Sequence, residues 1–269
     1  MNVQLAALAD EVFDAAAAQG RAGANSTRHS FGEVVWNPEY PQLFFLHGIV
    51  DLVAPGWRVD DLERAARETI PVASTFRASS RDPETIASLG PLLVAAGYRE
   101  EQRIGMIDTG SAALGQSPSH GGGGQGGRHE ISSVTDNTRW SEFERLIAAD
   151  AAEHAWTSAM TGQLISLYRW RAEYADHRYF LGRSNGQALA QVGLFQHRAT
   201  GYLHGLFTDP SARRRGLGRA LSLAMRAEAA AIGCSRLTLQ CIDDAYLPAY
   251  YERLGFKAVG KQYIWTRLQ

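Results

Sequence analysis

The stretch TDPSARRRGLGRA, residues 208–220, decides the fold of this chain. A hydrophobic strand is predicted over residues 202–208, ending at Asp-Pro, and a long helix rich in Ala, Leu and Arg is predicted over residues 216–232. The first turn of a helix exposes unpaired backbone N–H groups at the positive end of its dipole. Glycines let a phosphate reach those amides, and arginines add positive charge. The stretch therefore indicates a diphosphate-binding loop.

The elements around this loop alternate between strands and helices. A Ser-Asn-Gly turn at residues 184–186 joins two hydrophobic runs, which is a strong hairpin signal. Strands are predicted over residues 131–134, 178–182, 188–196 and 237–241 and from residue 256 onward, and helices over 139–152, 156–174 and 245–254. This order predicts an α/β domain with a mixed, mostly antiparallel central sheet flanked by helices.

A glycine-rich stretch divides the chain into two halves. Residues 110–128 include GGGGQGG and cannot bury enough apolar surface to become ordered. We predict a first domain over residues 1–110, a flexible linker over 111–128 and a second domain over 129–269. A fragment that begins near His129 is then expected to bind its ligand alone.

The two halves resemble each other weakly. LHG at residues 46–48 recurs at 203–205, each within a predicted hydrophobic strand that runs into a proline and then a helix. PLLVAAGY at 91–98 parallels AYYERLGF at 249–256, and the two separations differ by a single residue. Internal similarity of this kind favours a duplicated domain.

Composition excludes several classes of protein. The chain has 269 residues, a formal net charge of −1 and 45% hydrophobic residues, which is typical of a soluble globular protein. We therefore expect no nucleic-acid partner, no membrane partner and a cytoplasmic location. Cys234 and Cys241 form no metal-site pattern, so we expect reduced core thiols and no metal.

Two motifs together resemble one family. Arg213-x-x-Gly216-x-Gly218 is similar to the Gln/Arg-x-x-Gly-x-Gly/Ala signature of the GNAT acetyltransferases, and YERLGF at residues 251–256 is similar to the family's second landmark. Leu221 replaces the third glycine of a dinucleotide-binding fingerprint, which excludes that alternative. The resemblance covers residues 129–269. It implies a GNAT-like fold, probable repetition of that fold in the first half, and acetyl-CoA as co-substrate.

The resemblance also assigns roles to residues. In the family the glycine loop binds the pyrophosphate of acetyl-CoA and the preceding strand holds its pantetheine arm. The corresponding cofactor-binding residues are Leu206, Phe207, Thr208, Arg213, Arg214, Arg215, Gly216, Leu217, Gly218, Arg219, Ala220 and Asp244. Asp244 departs from the Asn that is usual at its position, and an ionised Asp can only accept hydrogen bonds.

Two residues are candidates for the chemistry. By resemblance, Tyr251 donates a proton to the departing CoA thiolate. Tyr202 and His204 share one strand face, and His204 is either a base that titrates near neutral pH or a core histidine.

The first half lacks these parts. Asp60 and Asp61 stand where a diphosphate should bind, and Leu93 stands at the position of Tyr251. This half resembles a degenerate GNAT repeat that serves as scaffold, lid or pocket wall.

The sequence thus predicts an N-acetyltransferase that moves an acetyl group from acetyl-CoA to a primary amine of a small molecule, by direct attack in a ternary complex. Trp156 and Tyr168, with Asp150 and Glu153 nearby, weakly favour a small cationic amine with an apolar body. An acetyl-CoA sensor without turnover and a protein or peptide N-acetyltransferase stay open as alternatives, and monomer and homodimer are both compatible with the sequence.

Overall fold

The computed structural model describes residues 3–70, 75–108 and 129–268. The predicted linker over residues 111–128 lies outside the described residues, so the two domain boundaries stay a prediction. Within the described ranges the helices are α1 Val3–Arg21, α2 Val59–Thr69, α3 Pro83–Ala95, α4 Asn137–Glu153, α5 Ser158–Tyr174, α6 Leu217–Ala231 and α7 Leu247–Glu252.

The strands are β1 Asn25–His29, β2 Gly32–Trp36, β3 Gly48–Val50, β4 Thr75–Ser80, β5 Arg99–Asp108, β6 Glu130–Ser133, β7 His177–Ser184, β8 Gln187–His197, β9 Thr200–Thr208, β10 Arg236–Ile242 and β11 Phe256–Leu268. All the strands and helices predicted for the second half are present within a few residues. The predicted α/β fold with a mixed, mostly antiparallel sheet flanked by helices is confirmed.

Among the described residues, eleven strands form one sheet in the order β1-β2-β3-β4-β11-β5-β10-β9-β8-β7-β6. The last strand of each half lies inside the other half: β11 pairs with β4 and β5, and β5 pairs with β11 and β10. We call the β11–β5 pair, where the two halves exchange their last strands, the seam. A parallel pair lies on each side of it, β3 with β4 and β9 with β10. The order reads nearly the same from either side of the seam, which agrees with the predicted repeat.

Helices cover both faces of the sheet. On one face α6 and α7 pack with Met106, Leu239 and Cys241, and α4 and α5 lie on the opposite face over β7 and β8. Helix α1 lies on that opposite face across the seam, because Gly105 and Gly260 leave room for it. A Cβ on Gly105 would lie 2.9 Å from the ring of Phe13 in α1.

The LHG stretch of the first half differs from its prediction as part of a strand. Residues Phe44–Leu46 form a 3₁₀ turn, and β3 begins only at Gly48. The close approach of β3 to β4 explains the glycine, because a Cβ there would lie 1.8 Å from the Arg77 carbonyl oxygen.

The shared seam reverses the expectation that a fragment beginning at His129 binds alone. Such a fragment lacks β5, which carries the buried residues Met106 and Ile107. Without β5, the edges of β10 and β11 that pair with it have no partner strand. We expect the 129–269 fragment to show no cooperative unfolding by circular dichroism. The full chain cut at a protease site inserted within residues 111–128 should remain one particle on size exclusion. A fragment 129–269 that unfolds cooperatively and binds acetyl-CoA would contradict this account of the seam.

Candidate active site

The predicted diphosphate loop presents a row of free amides. Gly216 has φ +84° and begins α6 as its N-cap, a backbone geometry that glycine adopts without strain. In the described part of the chain no acceptor is found for the backbone N–H groups of residues 214–219. The Ala220 amide donates to the Gly216 carbonyl at 2.9 Å and has no N–H left for a phosphate. Residues 214–219 therefore form the anion cradle.

The arginines of the loop divide into two groups. Arg213 is held in place, since its guanidinium contacts both Glu153 carboxylate oxygens at 2.6 Å and its Nε donates to the Thr208 carbonyl at 3.0 Å. Arg214, Arg215 and Arg219 are exposed. Their charges remain available to an anion bound at the cradle.

Strands β9 and β10 separate beside the cradle. Their parallel pairing ends at Leu203 and Leu239. A register shift in the pairing of β9 with β8 follows, and Gly205 has φ +60° there. The remainder of β9 contains Leu206, half-buried, Phe207, buried, and Thr208, half-buried, and runs along an open gap on the β10 side. A bulge of this kind bends the strand that contains it, here β9.

Tyr251 lies in α7 on the same face as α6. Its side chain is 7% exposed and its ring lies 5.0 Å from that of Tyr250 and 5.8 Å from that of Phe256. Burial raises the pKa of Tyr251, and the neighbouring Tyr250 and Cys241 raise it further. The phenol therefore keeps its proton throughout the physiological pH range.

Asp244 has a structural contact that the sequence did not predict. Its Oδ1 accepts hydrogen bonds from the backbone amides of Tyr246 at 2.8 Å and Leu247 at 2.6 Å. It thereby caps the first turn of α7, the helix that carries Tyr251. An Asn would accept the same bonds through its amide oxygen, which explains how either residue can occupy this position.

A cavity of about 330 Å³ opens on the opposite face of the sheet, beneath α1. His204 and Gly205 of β9 and Gln240 of β10 line it, and these are the first residues past the last pair of the two strands. The cavity therefore lies at the point where the pairing of β9 with β10 ends. Trp156 and Tyr168 also line the cavity, as their predicted place near an acceptor requires.

His204 does not have the properties predicted for a base. Burial, with His177 and Arg171 nearby, holds the pKa of His204 well below its usual value, so the prediction that it titrates near neutral pH is wrong. Its Nε2 is buried and finds no partner among the described residues. The ring lies over Gly193, where a Cβ would come within 2.4 Å of Cε1. The geometry fits a packed, neutral histidine better than a proton acceptor facing the cavity.

His177 gives a testable dependence of stability on pH. It is 3% exposed, and burial together with Arg171 lowers its pKa to about 3. Because the pKa is lower in the folded state, protonation of His177 below about pH 6.5 favours the unfolded chain. The free energy of unfolding is therefore unaffected above about pH 6.5 and falls by about 1.4 kcal/mol per pH unit below it. We expect His177→Gln to reduce this slope in urea titrations between about pH 7 and pH 5. Equal slopes in wild type and His177→Gln would contradict the assignment.

The acids that favoured a cationic amine lie elsewhere. Glu153 is paired with Arg213, and Asp150 lies 3.4 Å from the ring of His154. Neither lines the cavity. The charged residues that do line it, which the sequence did not predict, are the arginines at positions 21, 77, 103 and 171. Arg77 lies on β4 and Arg103 on β5, both inside the sheet. A positively charged residue within a strand of this kind was the signal in the sequence that could have indicated a binding site.

The first half contains no equivalent of the cradle. At the start of α2, the Asp61 carboxylate accepts a hydrogen bond from the Arg58 amide at 3.2 Å and forms the capping box of the helix. Leu93, at the position matching Tyr251, is fully buried in the core. Within the described residues, no group of three or more His, Cys, Asp or Glu side chains could hold a metal ion. In the same ranges no helix has the length and apolar character needed to cross a bilayer.

The comparisons with known proteins agree with this geometry. Residues 140–256 match the family model described as the acetyltransferase (GNAT) family. A sequence search of curated proteins gives no match.

Solved structures share the fold over nearly the whole chain. A functionally unknown conserved protein from Staphylococcus epidermidis superposes with TM-score 0.72 at 11% identity, over 92% of this chain and 95% of that one. A GCN5-related N-acetyltransferase from Kribbella flavida gives TM-score 0.58 at 17% identity, over 100% and 97%. A putative GNAT acetyltransferase from Novosphingobium aromaticivorans gives 0.56 at 18%, over 95% of each chain. At these identities the likeness is one of fold.

Proposed function

From the match of residues 140–256 to the GNAT acetyltransferase family model, we propose that the protein transfers an acetyl group from acetyl-CoA to a primary amine of a small molecule. One observation carries the proposal. The free amides of residues 214–219 lie near the end of β9, the pairing of β9 with β10 ends at Leu203 and Leu239, and a cavity on the opposite face is lined by the first residues past that pairing. A cofactor anchored at the cradle could extend through the gap while an amine occupies the cavity.

The residues of the cradle fit a pyrophosphate. Gly216 and Gly218 leave the amides uncovered, and a Cβ on Gly218 would already lie 3.1 Å from the Tyr250 hydroxyl. Arg214, Arg215 and Arg219 would add charge, and Leu206, Phe207 and Thr208 would hold the arm along the gap. Acetyl-CoA supplies a thioester whose carbonyl carbon is open to attack by an amine.

The cavity itself would help to deprotonate the amine. An alkylammonium with a pKa near 10.4 must lose a proton before it can attack. A site that is shielded from water and lined by cations lowers that pKa, because both effects disfavour the charged form. Arg171, whose guanidinium donates to backbone carbonyls and keeps its charge, contributes to such a site. We infer that this environment, with His204 as a packed neighbour, replaces a dedicated histidine base.

Tyr251 would supply the proton to the departing thiolate. The raised pKa of Tyr251 keeps its hydroxyl protonated. It also makes transfer of that proton to the CoA thiolate uphill, because the resulting thiol has a pKa near 8.5. Close positioning must therefore compensate, which is why its place in α7, held by Asp244 at the helix start, matters.

The size of the cavity and its lining by both halves of the chain favour a small acceptor over a peptide. Both halves of the chain line it, and about 330 Å³ lies at the lower end of the range for small-molecule sites. This assigns the first half to the pocket wall.

A thiol-release screen tests the proposal. The full chain is incubated with acetyl-CoA and a panel of small amines, amino acids, aminoglycosides and peptides, and free CoA is measured with a thiol reagent. We expect release that depends on the amine and saturates with it. Stabilisation by acetyl-CoA without release by any amine would assign the protein to the sensors instead.

A further inference from the structure

We propose that the acceptor amine also carries a carboxylate, and that Arg77 and Arg103 bind this group in the cavity shared by the two halves. The inference rests on the proposed function, because it names the substrate class of the same site. It assigns a role in substrate recognition to Arg77 and Arg103, which belong to the first half. Neither of the two motifs in the second half predicts this role.

Arg77 is a cation without a direct partner among the described residues, and the Glu101 carboxylate acts on it only electrostatically, beyond ion-pair distance. Arg77 lies on β4 and lines the cavity, and no described residue accepts a hydrogen bond or forms an ion pair with its guanidinium. Burial and the neighbouring Arg103 lower its pKa to about 9, so it is charged at neutral pH. Its backbone is fixed, since its amide donates to the His47 carbonyl at 3.2 Å and Gly48 packs against its carbonyl. A buried charge that the fold leaves unpaired normally meets its partner in a ligand.

Arg103 is only partly satisfied. Its Nε donates to Glu101 at 2.6 Å, and its two terminal nitrogens have no acceptor among the described residues. Two terminal N–H groups in a planar fork match a carboxylate with two parallel hydrogen bonds.

The remaining cations of the cavity have partners already. Arg21 contacts Glu33 at 3.0 Å, and Arg171 donates to the carbonyls of Ala22 and Gly20 at 2.9 and 3.2 Å. No Asp or Glu is among the residues that line the cavity. Guanidinium nitrogens without an acceptor among the described residues are therefore concentrated at Arg77 and Arg103.

The charge at Arg77 and Arg103 favours an anion. The two arginines contribute two positive charges, and Glu101, which pairs with Arg103 and acts electrostatically on Arg77, removes one. Arg171 donates to backbone carbonyls, so its charge also remains in the cavity. A carboxylate neutralises the charge that remains at Arg77 and Arg103.

The acidic and amine ends of such a ligand would lie within one cavity. Both arginines act electrostatically on Tyr202, whose pKa burial raises to about 12, so they lie close to it. Tyr202 and His204 stack on one face of β9 with ring centroids 6.4 Å apart, and His204 marks the start of the gap. A compact amino acid could hold its carboxylate at the arginines and its amine at the thioester.

The test compares matched acceptors on the full chain. Free amino acids are paired with their amides and decarboxylated amines, and with aminoalkyl phosphates, and kcat and KM are measured by CoA release. We expect the acid to be preferred over its amide by about a hundredfold or more. Arg77→Met should raise KM for the acid about thirtyfold or more, with KM for the amide unchanged within about threefold. Arg64→Met, the same change at an exposed arginine of α2, should leave both values unchanged.

Each outcome decides the proposal. Arg77→Met removes a charge without a direct partner, so it should not lower the melting temperature. Arg103→Met is a second variant, and we expect it to lose the same preference for the acid over its amide. Release of CoA with amides or phosphates preferred over acids would overturn the carboxylate assignment and leave the proposed function standing. If no amine releases CoA, a melting-temperature rise with the amino acids alone that Arg77→Met abolishes would still support carboxylate binding. Absence of that rise would overturn it.

Discussion

Replacement of Gly218 by Asp is expected to abolish the stabilisation of the protein by acetyl-CoA. At about a hundred times its Kd, a ligand of the folded state adds about 2.7 kcal/mol of stability, which corresponds to a rise in Tm of roughly 5–10 °C for a chain of this size. An Asp at position 218 places a carboxylate over the free amides of residues 214–219. It would compete for these N–H groups and repel a diphosphate.

The variant should fold, which makes the result interpretable. An acidic residue in the first turn of a helix is favourable to the helix dipole. The Cβ at position 218 would approach the Tyr250 and Thr208 hydroxyls to 3.1 and 3.3 Å, so small shifts suffice. Gly162→Asp, in the exposed part of α5 where no atom lies within 4 Å of the new Cβ, is the matched control. Scanning fluorimetry with and without acetyl-CoA measures both, and a normal shift in Gly218→Asp would place the diphosphate elsewhere.

Replacement of Tyr251 by Phe is expected to lower kcat by about a hundredfold or more. The hydroxyl would act only when the thiolate departs, so its removal should leave the affinity for acetyl-CoA nearly unchanged. The ring can remain against Tyr250 and Phe256, so the packing is retained.

Tyr246→Phe is the control for the same chemical change. Tyr246 precedes α7 and is 61% exposed, so loss of its hydroxyl should alter kcat by less than about threefold. Turnover of the two variants is compared by CoA release at saturating acetyl-CoA, and affinity by calorimetry. A fall of less than about threefold in Tyr251→Phe would remove the tyrosine from the chemistry.

The sequence predicted the parts of the site that local pattern encodes. Gly216, the arginines and the strand before them lie within one short stretch, so strand, loop and helix follow from neighbouring residues. The Tyr251 landmark is local for the same reason. The predicted elements of the second half are present because periodicity and turn residues act within each element.

The parts that depend on distant contacts were missed. Insertion of β5 between β10 and β11 joins residues more than a hundred positions apart, and no local pattern specifies that pairing. The low pKa of His204 comes first from burial. His177 of β7 and Arg171 of α5 lower it further through their charges. Arg77 and Arg103 become functional candidates only when the sheet brings them to one cavity.

The most direct test of acetyl transfer is the product itself. The full chain is incubated with acetyl-CoA and a mixture of small amino acids, amides and amines, and mass spectrometry follows the acceptors while a thiol reagent follows CoA. The account predicts that one acceptor gains an acetyl group, in equal amount to the CoA released, and that Gly218→Asp and Tyr251→Phe both suppress the product. Binding of acetyl-CoA with neither acetylated acceptor nor free CoA would contradict it.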